Sequence, residues 1–189
     1  SVIVGDSDYG TLLWIVVIAI SNAVSMLTMP VIGLLADARA QKKRWLLVAT
    51  AMCVLGTFGL MGTGPGTVVL ATFMIMLSNF GYNVGESLCS AFLPEIAREE
   101  SVGKVSGWGW SMGYCGGLVT LLLAIAWTSW SMKAGYSTDL LVDGTLFITA
   151  AVYALAATPI FLFLKERSTP RMKENNSNLK ALFVSSFEE

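Results

Sequence analysis

Five long apolar runs separated by short polar stretches set the pattern of this chain. A bilayer core of about 30 Å needs roughly 20 helical residues to cross it. An apolar run in hydrocarbon must satisfy its own backbone hydrogen bonds, so each run predicts a helix. The expected spans lie at about 11–36, 45–62, 67–92, 105–130 and 144–164. Pro30 falls inside the first and predicts a kink there. Gly62-Thr-Gly-Pro-Gly66 reads as a tight turn before the third span. Leu93-Pro94-Glu95 ends that span, a charged loop continues to Lys104, and Ser131 to Asp143 reads as a polar connector.

Polar residues inside the runs are few and ordered. On the third span, Asn79, Tyr82, Asn83, Glu86 and Ser90 recur every three or four residues and share one helical face. Such a stripe is costly against lipid. Glu86 is the acidic residue deep in a predicted span, and an intramembrane carboxylate is expensive unless protonated, paired or wet. One reading is the lining of a polar pathway in which Glu86 binds a solute or exchanges a proton. The other is a carboxyl that hydrogen-bonds a neighbouring helix or sits near the membrane surface. Asn22, Ser25 and Thr28 form a weaker strip on the first span, fit either to hold helices together or to touch solute. The fourth span is glycine-rich: Ser106, Gly109, Gly113, Gly117 and Thr120 fall near one face and invite close packing or motion of another backbone.

Charge fixes an orientation. Eleven of the twelve Lys and Arg residues fall in the 37–44 hinge, the 95–104 loop and the stretch after Leu164, and only Lys133 falls on the other side. The positive-inside rule therefore places the start of the chain outside and its end in the cytoplasm. Over half of the residues are hydrophobic and 13% are charged. A soluble domain carries about 25% charged residues, so the composition agrees with a multi-pass, all-α membrane protein whose first partner is the lipid bilayer. A net charge of −1 gives no reason to expect a nucleic-acid partner. The sequence has no histidine, and its cysteines, Cys53, Cys89 and Cys115, lie far apart within apolar runs as small packing residues. With no phosphate-binding loop, dinucleotide fingerprint, nucleophile elbow or metal-ligand cluster, neither an enzyme nor a cofactor or metal is expected. Beyond Leu164 the chain is polar, and Leu179, Leu182, Phe183 and Phe187 recur at helical spacing. That spacing fits an amphipathic surface helix or the lead-in to a further span.

Two stretches carry a family resemblance. Gly33-Leu-Leu-Ala-Asp37, Arg39 and then Lys42-Lys43-Arg44 resembles the signature loop between the second and third helices of the major facilitator superfamily. Ala38 and Ala40 stand where that pattern has a basic residue and a glycine. Ala91-Phe-Leu-Pro94-Glu-Ile-Ala97, Gly103-Lys-Val-Ser-Gly107 and Gly113-Tyr-Cys-Gly116-Gly117 are similar, in order and spacing, to the vacuole-effluxer-like (autophagy-related) family within it. Glu86 lies outside these motifs, and Ser90 stands where the resemblance leads one to expect asparagine.

The resemblance implies a twelve-helix secondary transporter of two six-helix bundles that rock around a midplane site. Residues 1–164 would form helices two to six of the first bundle, and 165–189 the start of the cytoplasmic central loop. The first helix and the C-terminal half of the same transporter would then be partners of this chain. The implied activity is efflux of a small polar solute, an amino acid in the fungal vacuole, with a proton as candidate coupling ion. The membrane would be vacuolar in a fungus and the cell membrane in a bacterium. Gly33, Asp37, Arg39, Lys42, Lys43 and Arg44 would form an inner gate; Glu86, Asn83, Asn79, Tyr82 and Asn22 would line the solute or proton pathway. Pro94, Gly107, Gly109, Gly113, Gly116 and Gly117 would serve packing and motion. A non-transporting receptor or scaffold and a membrane-embedded enzyme are the alternatives.

Overall fold

The computed structural model describes residues 7–64 and 66–164, with side chains from residue 10 onward. The opening residues 1–6, Pro65 and the proposed amphipathic stretch at Leu179–Phe187 lie outside the described residues. The described chain is helical and has no strand: α1 (Ser7–Ala38), α2 (Lys42–Leu60), α3 (Val68–Ala91), a short α4 (Leu93–Ile96), α5 (Val102–Lys133) and α6 (Thr138–Phe163). All but α4 are long and apolar enough to cross a membrane, which makes this an all-α, multi-pass membrane bundle.

The helices run past the apolar stretches because a helix need not stop where hydrocarbon does. Most of the Ser131–Asp143 stretch is helical, with a break only at 134–137, where Gly135 takes φ +75°. Asp139 sits in the first turn of α6, where a carboxylate is favoured by the exposed N–H groups. Helix α1 continues through Pro30, whose missing N–H is tolerable inside a packed membrane helix. Between α2 and α3 the Thr67 hydroxyl accepts from the Gly64 N–H and donates to the Gly64 carbonyl, both at 2.8 Å.

In space the order is α1, α3, α2, α6, α5, each helix packed on the next. The closest approach is α2 on α3, made possible by glycines on both. A Cβ on Gly81 would lie 2.6 Å from the Ala49 carbonyl oxygen and 2.7 Å from the Cys53 nitrogen. One on Gly56 would lie 2.8 Å from the Ser78 nitrogen. Where the backbones touch, the Thr57 and Ser78 hydroxyls stand 3.0 Å apart and both donate to the Cys53 carbonyl. At the end where α1 finishes and α2 begins, Ala36, Leu46, Ala49, Val84, Leu88 and Phe92 form the buried core. At the opposite end, Trp127, Trp130 and Tyr136 stack in sequence, with centroids 5.6 Å and 5.5 Å apart. Such amphipathic rings suit a membrane–water interface. Trp127 also donates to the Leu141 carbonyl at 3.3 Å and joins α5 to α6.

Candidate functional site

The signature loop is built on the way α1 stops. The Gln41 N–H bonds to the Ala36 carbonyl at 3.0 Å and the Ala40 N–H to the Asp37 carbonyl at 3.1 Å, the paired bonds of a Schellman helix end. Ala40 is therefore left-handed, with φ +49°. That conformation costs an L-residue about 1 kcal/mol or more, which explains why the superfamily pattern has glycine at this position.

This turn delivers Lys42 to three helix ends at once. Its ammonium lies 2.6 Å from Asp37 Oδ1 and 2.8 Å from Glu95 Oε1, and donates to the Ala91 carbonyl at the end of α3 at 3.3 Å. The Phe92 ring lies beneath it, 6.0 Å to the centroid. The Lys42 and Glu95 side chains are only 10% and 15% exposed, whereas Asp37 is 57% exposed, so the first pair is largely shielded and the second largely wet. The cation also relieves an electrostatic problem, since Asp37 and the Ala91 carbonyl both lie at helix C-termini, where negative partial charge accumulates. Lys43 points elsewhere and donates to the Leu164 carbonyl beyond α6 at 2.8 Å. Arg39 and Arg44 are exposed, and Gly33 is half-buried one turn before Asp37. Glu95 was not singled out by sequence reading. Its signal was its place in the Leu-Pro-Glu turn carrying Pro94, an exposed residue in the first turn of α4.

The polar stripe of α3 divides. At its upper level it faces α1: the Asn79 amide donates to Asn22 Oδ1 at 2.8 Å and to Ser21 Oγ at 3.0 Å. The Asn83 amide donates to Asn22 Oδ1 at 3.0 Å and to Ser25 Oγ at 3.4 Å. Asn22 thus accepts from two residues of α3 and holds the two helices together. Interhelical hydrogen bonds in membranes average about 0.6 kcal/mol each, so Asn22→Leu should destabilise the protein by roughly 1 kcal/mol. Reversible unfolding in bicelles measures this, and an unchanged stability would show that the seam does not hold α1.

Further along α3, Tyr82, Glu86 and Ser90 face a cavity of about 550 Å³ bounded by α2, α3, α5 and α6. Thr50 of α2, Ser106, Gly109, Trp110 and Gly113 of α5 and Tyr153 and Phe161 of α6 also line it. Tyr82 and Tyr153 stand together, with ring centroids 6.5 Å apart. Glu86 is exposed to the cavity and forms no ion pair among the described residues. Tyr153 and Trp110 were not named as pathway residues, although a lone tyrosine within the apolar run of α6 is a visible signal.

The glycines of α5 do not meet another backbone within the described chain. A Cβ built on Gly107, Gly109, Gly113, Gly116 or Gly117 would have nothing within 4 Å. Gly109 and Gly113 instead border the cavity opposite Glu86 and leave it room.

Comparison with known proteins places this geometry in a lineage. The family model described as "Vacuole effluxer Atg22 like" matches residues 11–188. An uncharacterized MFS-type transporter, YxiO of Bacillus subtilis (strain 168), is 24% identical over 152 residues, which cover 79% of this chain. The chain spans 36% of that relative's length. No solved structure gives a significant match. With the signature loop, the membrane helices and a family match over nearly its whole length in agreement, the chain belongs to the Atg22-like vacuole effluxer family of MFS-type transporters.

Proposed function

We propose that this chain works in a secondary active transporter that carries a small polar solute of the amino-acid class outward by alternating access. The observation that supports this most is the cavity between α2, α3, α5 and α6 with a single charged lining residue among those described, Glu86. Ala91 lies five positions after Glu86, about 7.5 Å along the helix, and is where Lys42 grips the end of α3. A site and a lock thus share one helix. On this reading the Lys42 end faces the cytoplasm, as the positive-inside pattern suggests. The Asp37–Lys42–Glu95 cluster then holds the inner ends of α1, α2 and α3 in one of two states. Glu86 is the described carboxylate placed to exchange a coupling proton.

Solute counterflow in proteoliposomes separates a carrier from a receptor or scaffold, which would show none. The gate is tested with Asp37→Asn. A largely exposed ion pair contributes up to about 1 kcal/mol, so the closed state should lose up to about fivefold in population. Labelling of an inner-side cysteine should rise and the counterflow rate should change. If both stay at the wild-type level, Asp37 has no part in a gate.

A further inference from the structure

We propose that the cavity recognises its solute through a positively charged amine, with an apolar body laid against the aromatic wall. This rests on the cavity being the solute site proposed above. Among the described residues Glu86 supplies the only charge in the lining, and it is negative. The described Lys and Arg side chains all lie near helix ends or in the connecting turns, so none is placed in the cavity to receive a carboxylate. An ammonium has three donors and no acceptor. The Glu86 carboxylate can take one. Ser90 donates its own hydrogen to the Glu86 carbonyl at 3.1 Å, which leaves its oxygen lone pairs to accept another. Tyr82, Trp110 and Tyr153 add aromatic surface, and a cation near such faces gains further when water is excluded. Gly113, across from Glu86, presents no side chain to occupy that space. A cavity of about 550 Å³ falls within the range of small-molecule sites. An amino acid meets these terms by its α-ammonium; an acid without an amine does not.

The test uses the full chain in nanodiscs and proteoliposomes with three probes of one shape: phenethylamine, phenylalanine and 3-phenylpropionate. Binding is followed by tryptophan fluorescence and transport by counterflow. Phenethylamine and phenylalanine should bind, and 3-phenylpropionate should neither bind nor compete. A hydrogen bond to a charged group contributes about 1.5–3 kcal/mol, so Glu86→Gln should weaken phenethylamine binding by about tenfold or more. Glu86→Asp, which keeps the charge, should bind more tightly than Glu86→Gln. Equal binding of 3-phenylpropionate, or phenethylamine binding indifferent to Glu86→Gln, overturns the inference. So does a wild-type protein that ignores phenethylamine. Should Glu86→Gln fail to fold, the Glu86→Asp affinity and the 3-phenylpropionate competition decide. Glu86-dependent binding without counterflow would keep the recognition and remove the transport reading. Counterflow untouched by Glu86→Gln would do the reverse.

Discussion

Lys42→Met will destabilise the protein by about 3–5 kcal/mol, the usual cost of leaving one member of a shielded ion pair without its partner. Glu95, 15% exposed in the first turn of α4, is the carboxylate that loses this cation. The Asp37 side of the cluster adds little to this, because Asp37 is 57% exposed and water screens it. Adding Glu95→Gln to Lys42→Met should therefore restore much of the loss, since a neutral pair leaves no uncompensated charge. Adding Asp37→Asn should restore far less. Reversible unfolding of wild type, Lys42→Met, Glu95→Gln, Asp37→Asn and the two double variants forms a pair of double-mutant cycles. Equal rescue by the two second substitutions would mean that the shielding of Glu95 is not what makes Lys42 important.

Gly81→Val is the second large effect, and it acts through sterics alone. The first carbon of the new side chain would fall 2.6 Å and 2.7 Å from backbone atoms of Ala49 and Cys53, which cannot rotate away. Helices α2 and α3 would have to separate, and overpacking of this kind costs about 1–3 kcal/mol, with valine near the upper end. The Thr57–Ser78 contact would be strained with it. Gly116→Ala on α5 is the matched control, because a Cβ there meets nothing within 4 Å. It should be neutral or slightly stabilising, as replacing a helical glycine usually is. Unfolding of both variants in the same detergent gives the comparison. A Gly81→Val protein as stable as wild type would contradict the close α2–α3 approach, and a destabilised Gly116→Ala would reveal a neighbour contributed from beyond the described residues.

The membrane helices were legible because apolar length is a one-dimensional property. Their ends were less so: polarity marks where water begins, and Asp139 shows that a helix can start there. The lysine of the signature loop was legible as a charge and as a tie to neighbouring helix ends, but its carboxylate partner on α4 was not. Its partner Glu95 lies 53 positions away, and no local spacing reports a contact made by folding. The glycines make the same point from the other side. A glycine advertises room for an approaching backbone but not whether one comes, so Gly113 and Gly117 drew attention while Gly56 and Gly81 made the contact. The stripe on α3 was read as one surface. Position around a helix set that expectation, and only the path of α1 gave Asn79 and Asn83 to the seam while leaving Glu86 to the cavity.

Two successive lysines at the start of α2 reach in different directions, Lys42 to α1 and α3 and Lys43 to the Leu164 carbonyl just after α6. Four helices are thereby cross-braced at one two-residue step. The end of α6 is thus linked through Lys43 to the same backbone step that Lys42 anchors. Among the described residues, neither lysine is tied to α5. The ties at that step therefore fall on α1, α2, α3 and α6, while α5 is joined to α6 at the far end of the bundle through Trp127 and the Leu141 carbonyl.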